Sequence, residues 1–209
     1  MYGLVNQAIE DLAVHLAGEA GWRRIKAEDG VDVEVFVGME PYDDDITYRL
    51  VTAASDVLGL PTEVVLEAFG KHWIRYTGRQ GYGTIFTMMG STLPVFLHNL
   101  DAMHARISLS MPRLRPPSFA CEELDDTRLV VRYWSKRNGL APMVKGLLSG
   151  LGEYFGLDVT VVHTCSRADG EDHDEFLVTY VPVAPPTGYL AGEDDGRSVD
   201  SGRSVGSGG

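Results

Sequence analysis

The chain has 209 residues, 44% of them apolar, and sets 18 Lys and Arg against 30 Asp and Glu for a net charge of −12. That length suits one domain with a sizeable core, while the negative field argues against nucleic acid and anionic lipid, which both call for cations. The opening MYGLVNQAIEDL lacks a basic leader, no run nears the ~20 apolar residues of a membrane span, and Cys121 and Cys165 lack metal or framework spacing, so a soluble, cytoplasmic protein with reduced cysteines is expected.

In chain order, Leu4, Val5, Ala8, Ile9, Leu12, Ala13 and Leu16 recur at helical spacing until Gly18 closes the run. Residues 22–27 read as a short second helix before an Asp29-Gly30 turn. Asp43, Asp44 and Asp45 place carboxylates at the positive end of a helix over 46–58. Pro61-Thr62-Glu63 opens another over 64–76, and 81–90 reads as a short one between glycines. Residues 93–111 are expected to form one longer helix carrying Leu97, Leu100, His104, Ile107 and Met111. The period then changes. Residues 119–122 and 128–133 alternate as strands around an Asp125-Asp126 turn, a helix spans 142–155, and strands follow at 159–164 and 176–181, with a polar hairpin over 167–174. The expected fold is therefore α+β, an N-terminal helical part followed by a four-stranded antiparallel sheet with an inserted helix. Residues 1–182 form the domain, and the Gly-, Ser- and Asp-rich segment 183–209, in which Gly-Arg-Ser-Val occurs twice, is expected to be a disordered tail.

Two features carry chemistry. In Tyr133-Trp134-Ser135-Lys136-Arg137, a continued strand would put Tyr133, Ser135 and Arg137 on one face, two hydroxyls and a guanidinium suited to carboxylates or phosphates. The same alternation also suits an ordinary half-exposed strand end. His104 sits on the apolar stripe of its helix, where a histidine is either a hydrogen-bonded core residue or a ligand. No second ligand stands at zinc-like spacing on that helix. A lone axial imidazole suits a metal whose other positions are already filled, as in heme. Arg115-Pro116-Pro117 is a stiff connector that either joins helix to strand or presses on what the His104 helix holds. Trp73 and Met143 are candidate wall residues or plain core. There is no nucleophile elbow, phosphate loop or metalloprotease motif, and Phe86 interrupts the dinucleotide fingerprint that Gly81 and Gly83 begin.

Together MYGLVNQAIEDL, LDAMHARI, LRPPSF and the Tyr-x-Ser-x-Arg motif at 133–137 resemble the H-NOX family, the heme–nitric oxide/oxygen binding domains that include the heme domain of soluble guanylate cyclase. The resemblance runs from Met1 to about Pro182 and implies heme b, iron protoporphyrin IX, held between the helical part and the sheet. His104 would be the proximal iron ligand, Tyr133, Ser135 and Arg137 would bind the propionates, Pro117 would distort the porphyrin, and Trp73, Met143 and Ile9 would face the distal side. Oxygen-binding members carry a tyrosine five residues beyond the motif arginine. Here that position is Pro142, which has no donor, so nitric oxide and carbon monoxide are the expected ligands, with oxygen excluded. Gas binding would break the iron–His104 bond and free the helix to signal to a separate protein such as a histidine kinase or diguanylate cyclase. No enzymatic activity is expected of this chain. The alternatives are an oxygen-binding or redox-sensing heme protein of the same fold, and a hydrolase or transferase that uses the Arg137 cluster on an anionic substrate.

Overall fold

The computed structural model describes residues 1–28, 30–78 and 83–183. The turn expected at Asp29, the start of the 81–90 segment and the tail from 184 onward lie outside the described residues. Helices α1 (Gly3–Glu28), α2 (Asp44–Leu58) and α3 (Thr62–Thr77) form the N-terminal part. Gly18 adopts φ 70° and ψ 176°, so α1 is two helical stretches across a break, and the second carries Trp22 and Ile25 into the core. Only glycine takes that backbone conformation cheaply.

Helices α4 (Gly83–Met89), α5 (Leu93–His98) and α6 (Leu100–Ser110) follow. The single helix expected over 93–111 is thus corrected to two, parted at Asn99 (φ −89°, ψ −2°). The Asn99 Nδ2 donates to the Met89 carbonyl at 2.7 Å, tying the junction to the end of α4. The halves then do different jobs. α5 buries Leu93, Phe96 and Leu97, whereas α6 buries none of its residues.

Strands β1 (Ser118–Asp125), β2 (Arg128–Trp134), β3 (Leu157–Cys165) and β4 (Asp174–Pro182) make one antiparallel sheet in the order β1-β2-β4-β3, with α7 (Ala141–Tyr154) inserted between β2 and β3. The α+β order expected from the period change holds. Burial alternates strictly along β2, with Leu129, Val131 and Tyr133 inward, as a sheet covered on one face requires.

Two apolar clusters result. One joins α1, α2 and α3 through Ile9, Trp22, Ile25, Leu50 and Phe69. The other sets Phe96, Val144 and Leu148 on the sheet residues Leu129, Val131, Phe176 and Val178. Fully burying side chains of this size is worth roughly 1.5–3 kcal/mol each. Trp73 packs against both clusters, so it stands at the seam between them. Across that seam α3 and α7 approach at backbone distance, because Gly70 faces the Met143 carbonyl and Gly146 faces the Glu67 carbonyl.

Candidate functional site

A cavity of about 850 Å³ opens along the seam, near the upper end of what cofactor and ligand pockets usually measure. α6 and the connector after it supply one wall, through Met103, His104, Ile107, Pro116 and Pro117. α1, α3 and α7 supply the other, through Leu4, Val5, Trp73, Thr77, Met143 and Val144. Tyr133, Ser135 and Arg137 line it as well. The fold therefore collects seven of the eight residues singled out from the sequence. Ile9 stands apart: it is 5% exposed and borders a much smaller apolar void of about 30 Å³ among α1, α2 and α3.

His104 is held by few polar contacts. Its Nδ1 is buried without a hydrogen bond of ordinary geometry, which leaves a costly unmet polar atom in a lone core histidine. Burial pushes the ring's pKa below the usual histidine value, while the Asp101 charge one turn earlier and the nearby Pro117 carbonyl act the other way. The net effect favours the neutral imidazole that a metal needs. Asp101 also ties the helix to the sheet, its Oδ1 accepting from the Phe119 amide at 2.7 Å. The His104, Phe119 and Tyr133 rings follow one another at centroid distances of 6.0 and 5.2 Å.

The polar corner differs from the continuous strand considered above. β2 ends at Trp134, and residues 135–139 turn away from the sheet. Tyr133, Ser135 and Arg137 nevertheless meet at the cavity, because the Ser135 Oγ accepts from the Arg137 amide at 3.0 Å and closes the turn. The Arg137 guanidinium binds Asp44 on α2 in bidentate fashion at 2.8 and 3.0 Å, and donates to the Arg115 carbonyl at 2.8 Å. Three of its five N–H donors are thereby used, and two remain. Burial opposes charge on Asp44, but its hydrogen bonds to Arg137 and to the Met1 ammonium prevail and hold its pKa below the ordinary carboxylate value. Burial raises that of Tyr133, keeping the phenol protonated.

Pro142, which carried the argument against oxygen, does not line the cavity. On α7 the lining positions are 143, 144, 147, 148 and 151, with Leu140 just before the helix, so one helical face is turned inward and position 142 lies off it. The neighbouring position that does line the cavity is Met143, which likewise offers no donor.

A neutral-leaning imidazole, a large mostly apolar slot and a cationic corner with donors to spare fit a heme with its carboxylates at the Arg137 end. Among the described residues no three His, Cys, Asp or Glu side chains come together to hold a bare metal ion. No described helix is long and apolar enough to cross a membrane.

Asp44, Tyr48, Arg167, Leu4, Val5 and Leu140 were not singled out as site residues from the sequence. Asp44 was legible only as a helix N-terminal charge, and nothing in the spacing joins it to an arginine 93 positions away.

Comparison with known proteins gives a consistent answer. Residues 2–163 match the family model described as Haem-NO-binding. The soluble guanylate cyclase gcy-35 of Caenorhabditis elegans is 32% identical over 187 residues, covering 87% of this chain and 27% of its own length. The guanylate cyclase soluble subunit beta-2 of Rattus norvegicus is 30% identical over 122 residues, covering 56% and 18%. The chain thus spans about a quarter of the curated relatives' length or less. Among solved structures, an H-NOX protein from S. oneidensis in the Fe(II)NO ligation state superposes with a TM-score of 0.78 at 20% identity, over 87% of this chain and 99% of that one. An unliganded Fe(II) H-NOX mutant from K. algicida gives 0.71 at 17%, over 87% and 97%. The matched family is one of sensor domains rather than catalysts, which sets the hydrolase and transferase alternative aside.

Proposed function

The chain belongs to the haem-NO-binding family, and we propose that it holds heme b through His104 and senses nitric oxide and carbon monoxide while excluding oxygen. The observation that carries this reading is one cavity with the His104 imidazole on one wall, its Nδ1 buried, a guanidinium corner at its edge and a wall without carboxyl or phenol groups around Met143. Bound ferrous heme would supply the iron at which a diatomic gas binds, and His104 would be the protein ligand that holds it.

The chain's own residues set the selectivity. His104 offers a ring kept neutral by burial. Arg137, Tyr133 and Ser135 orient the propionates, the free Arg137 donors giving charge-assisted hydrogen bonds. Pro117, a cavity-lining ring without a backbone donor, would contact the bound macrocycle. Bound oxygen carries negative charge and wants a hydrogen-bond donor. Leu4, Val5, Leu140, Met143 and Val144 have none, and the Thr77 hydroxyl is engaged by the Trp73 carbonyl at 2.7 Å. Trp73 also lines the cavity and carries an indole N–H donor, which favours the second reading, an oxygen-binding heme protein of the same fold.

α6 suits a signalling role because none of its residues is fully buried, and it is held by partial packing of Leu100 and Met103 and by the Asp101 contact to β1 rather than by a core of its own. A separate effector, such as a histidine kinase or diguanylate cyclase, would read its displacement.

Absorption spectra of the reduced protein under nitrogen, air, carbon monoxide and nitric oxide test the proposal. The expected result is a five-coordinate spectrum unchanged by air and altered by the other two gases. A stable oxygen complex would support the second reading instead. His104→Gly should lose the spectrum and regain it with free imidazole. Retention of the parent spectrum without imidazole would remove His104 from the ligand role.

A further inference from the structure

The Arg137 corner has two more members whose side chains address its backbone rather than the cavity. Tyr48 lies on α2 one turn beyond Asp44, so both side chains leave the same helical face. Asp44 takes the Arg137 guanidinium, and the Tyr48 hydroxyl donates to the next carbonyl, that of Asn138, at 3.0 Å. From the other side of the corner, the Arg167 Nη1 donates to the Arg137 carbonyl at 3.2 Å across 30 positions of sequence.

Arg167 is itself placed. Ser166 caps a short 3-10 turn, Arg167–Asp169, its Oγ accepting from the Ala168 amide at 3.1 Å. The Arg167 amide donates to the Asp174 carboxylate at 3.2 Å. Asp174 is 6% exposed and faces Tyr133 in the register of β2 and β4. Its Oδ1 also meets the His163 Nε2 at 3.1 Å, and the His163 ring stacks on Phe176. A buried carboxylate anchored to the sheet thus fixes the turn that sends the Arg167 guanidinium to residue 137.

This arrangement matters because β2 has ended. Residues 135–138 have no strand partner to hold them, and a guanidinium on a loose loop loses the orientation that bidentate recognition needs. We infer that Tyr48 and Arg167 are positioning residues that lock the 137–138 backbone from two sides, so that Arg137 spans Asp44 and the Arg115 carbonyl with its remaining donors toward the cavity. The ligand class addressed is an anionic carboxylate, and the inference rests on the heme reading above. Neither residue is asked to touch heme.

The test compares the rates at which heme and its dimethyl ester, which lacks ionised propionates, leave the loaded protein for an excess of an apo heme-binding acceptor. The variants are Tyr48→Phe, Arg167→Met and Arg167→Lys. Losing one such hydrogen bond should speed heme release about three- to tenfold in Tyr48→Phe and Arg167→Met. Release of the dimethyl ester should stay at the parent rate in both, and Arg167→Lys should recover most of the retention. Equal acceleration of heme and ester would show a general loosening of the fold and overturn the inference. So would parent-like heme release in both variants. Failure of the parent chain to take up heme at all would instead overturn the heme reading itself.

Discussion

Substitution of Gly146 probes the seam that forms the cavity. A Cβ at Gly146 would lie 2.0 Å from the Glu67 carbonyl oxygen on α3, and one at Gly70 would lie 2.0 Å from the Met143 carbonyl oxygen on α7. Ordinary contact begins at 3.4 Å, so each is about 1.4 Å too close, and the obstacle is backbone rather than a flexible tip. Gly146→Ala must part the two helices that carry Trp73 and Met143. Overpacking of this kind costs about 3 kcal/mol, which lowers the melting temperature of a domain this size by roughly 6–12 °C. Gly78→Ala is the matched control. Gly78 has φ −59° and ψ −32° and nothing within 4 Å of its built Cβ, so alanine should stabilise by about 0.4–1 kcal/mol through the unfolded chain. Thermal unfolding of the heme-free proteins, followed by circular dichroism, reads both signs. In the loaded Gly146→Ala protein the carbon monoxide stretching band should also shift, since the wall it reports has moved. Melting of Gly146→Ala no lower than the parent would refute the claim that glycine sets this helix spacing.

The cavity wall makes a second prediction: Met143→Tyr should slow oxygen dissociation or create a stable oxygen complex, whereas Pro142→Tyr should not, because only position 143 lines the cavity. Stopped-flow spectra under air distinguish them, and an oxygen complex in Pro142→Tyr alone would reverse the assignment. A third prediction concerns His72, whose Nε2 lies 2.8 Å from Asp11 between α3 and α1. Burial lowers its pKa below the ordinary 6.5, and the Asp11 charge offsets this only in part. Between 6.5 and that lowered value the unfolded chain binds protons that the folded chain does not. Stability is therefore lost as pH falls through this window, and His72→Gln should flatten the decline in melting temperature. An unchanged slope in His72→Gln would assign the loss to other groups.

Much of the site was legible in the sequence for definite physical reasons. The helical and strand periods placed His104 on a helix and Tyr133 on a strand, and Pro116-Pro117 announced a stiff connector. The bend after Trp134 was not legible, since alternation continues through Ser135 with no glycine or proline until Gly139. The break at Asn99 was missed because residues 93–111 keep an apolar stripe, and the Asn99 side-chain bond to the Met89 carbonyl is a non-local contact. Pro142, from which oxygen exclusion was argued, lies one residue from the cavity-lining Met143, a small count along the chain but a different face of a helix.

What the sequence by itself determined is the set of elements and the chemical types they carry, because hydrophobic period, turn residues and side-chain donors are local properties. What only the tertiary structure decided is which of them meet. The bidentate pairing of Asp44 with Arg137, the grip of Tyr48 and Arg167 on the turn, the removal of Ile9 to a separate void and the choice of Met143 over Pro142 all depend on how α2, α3 and α7 seat against the sheet. That seating is set by packing at backbone distance through Gly70 and Gly146, a non-local contact that no spacing along the chain encodes.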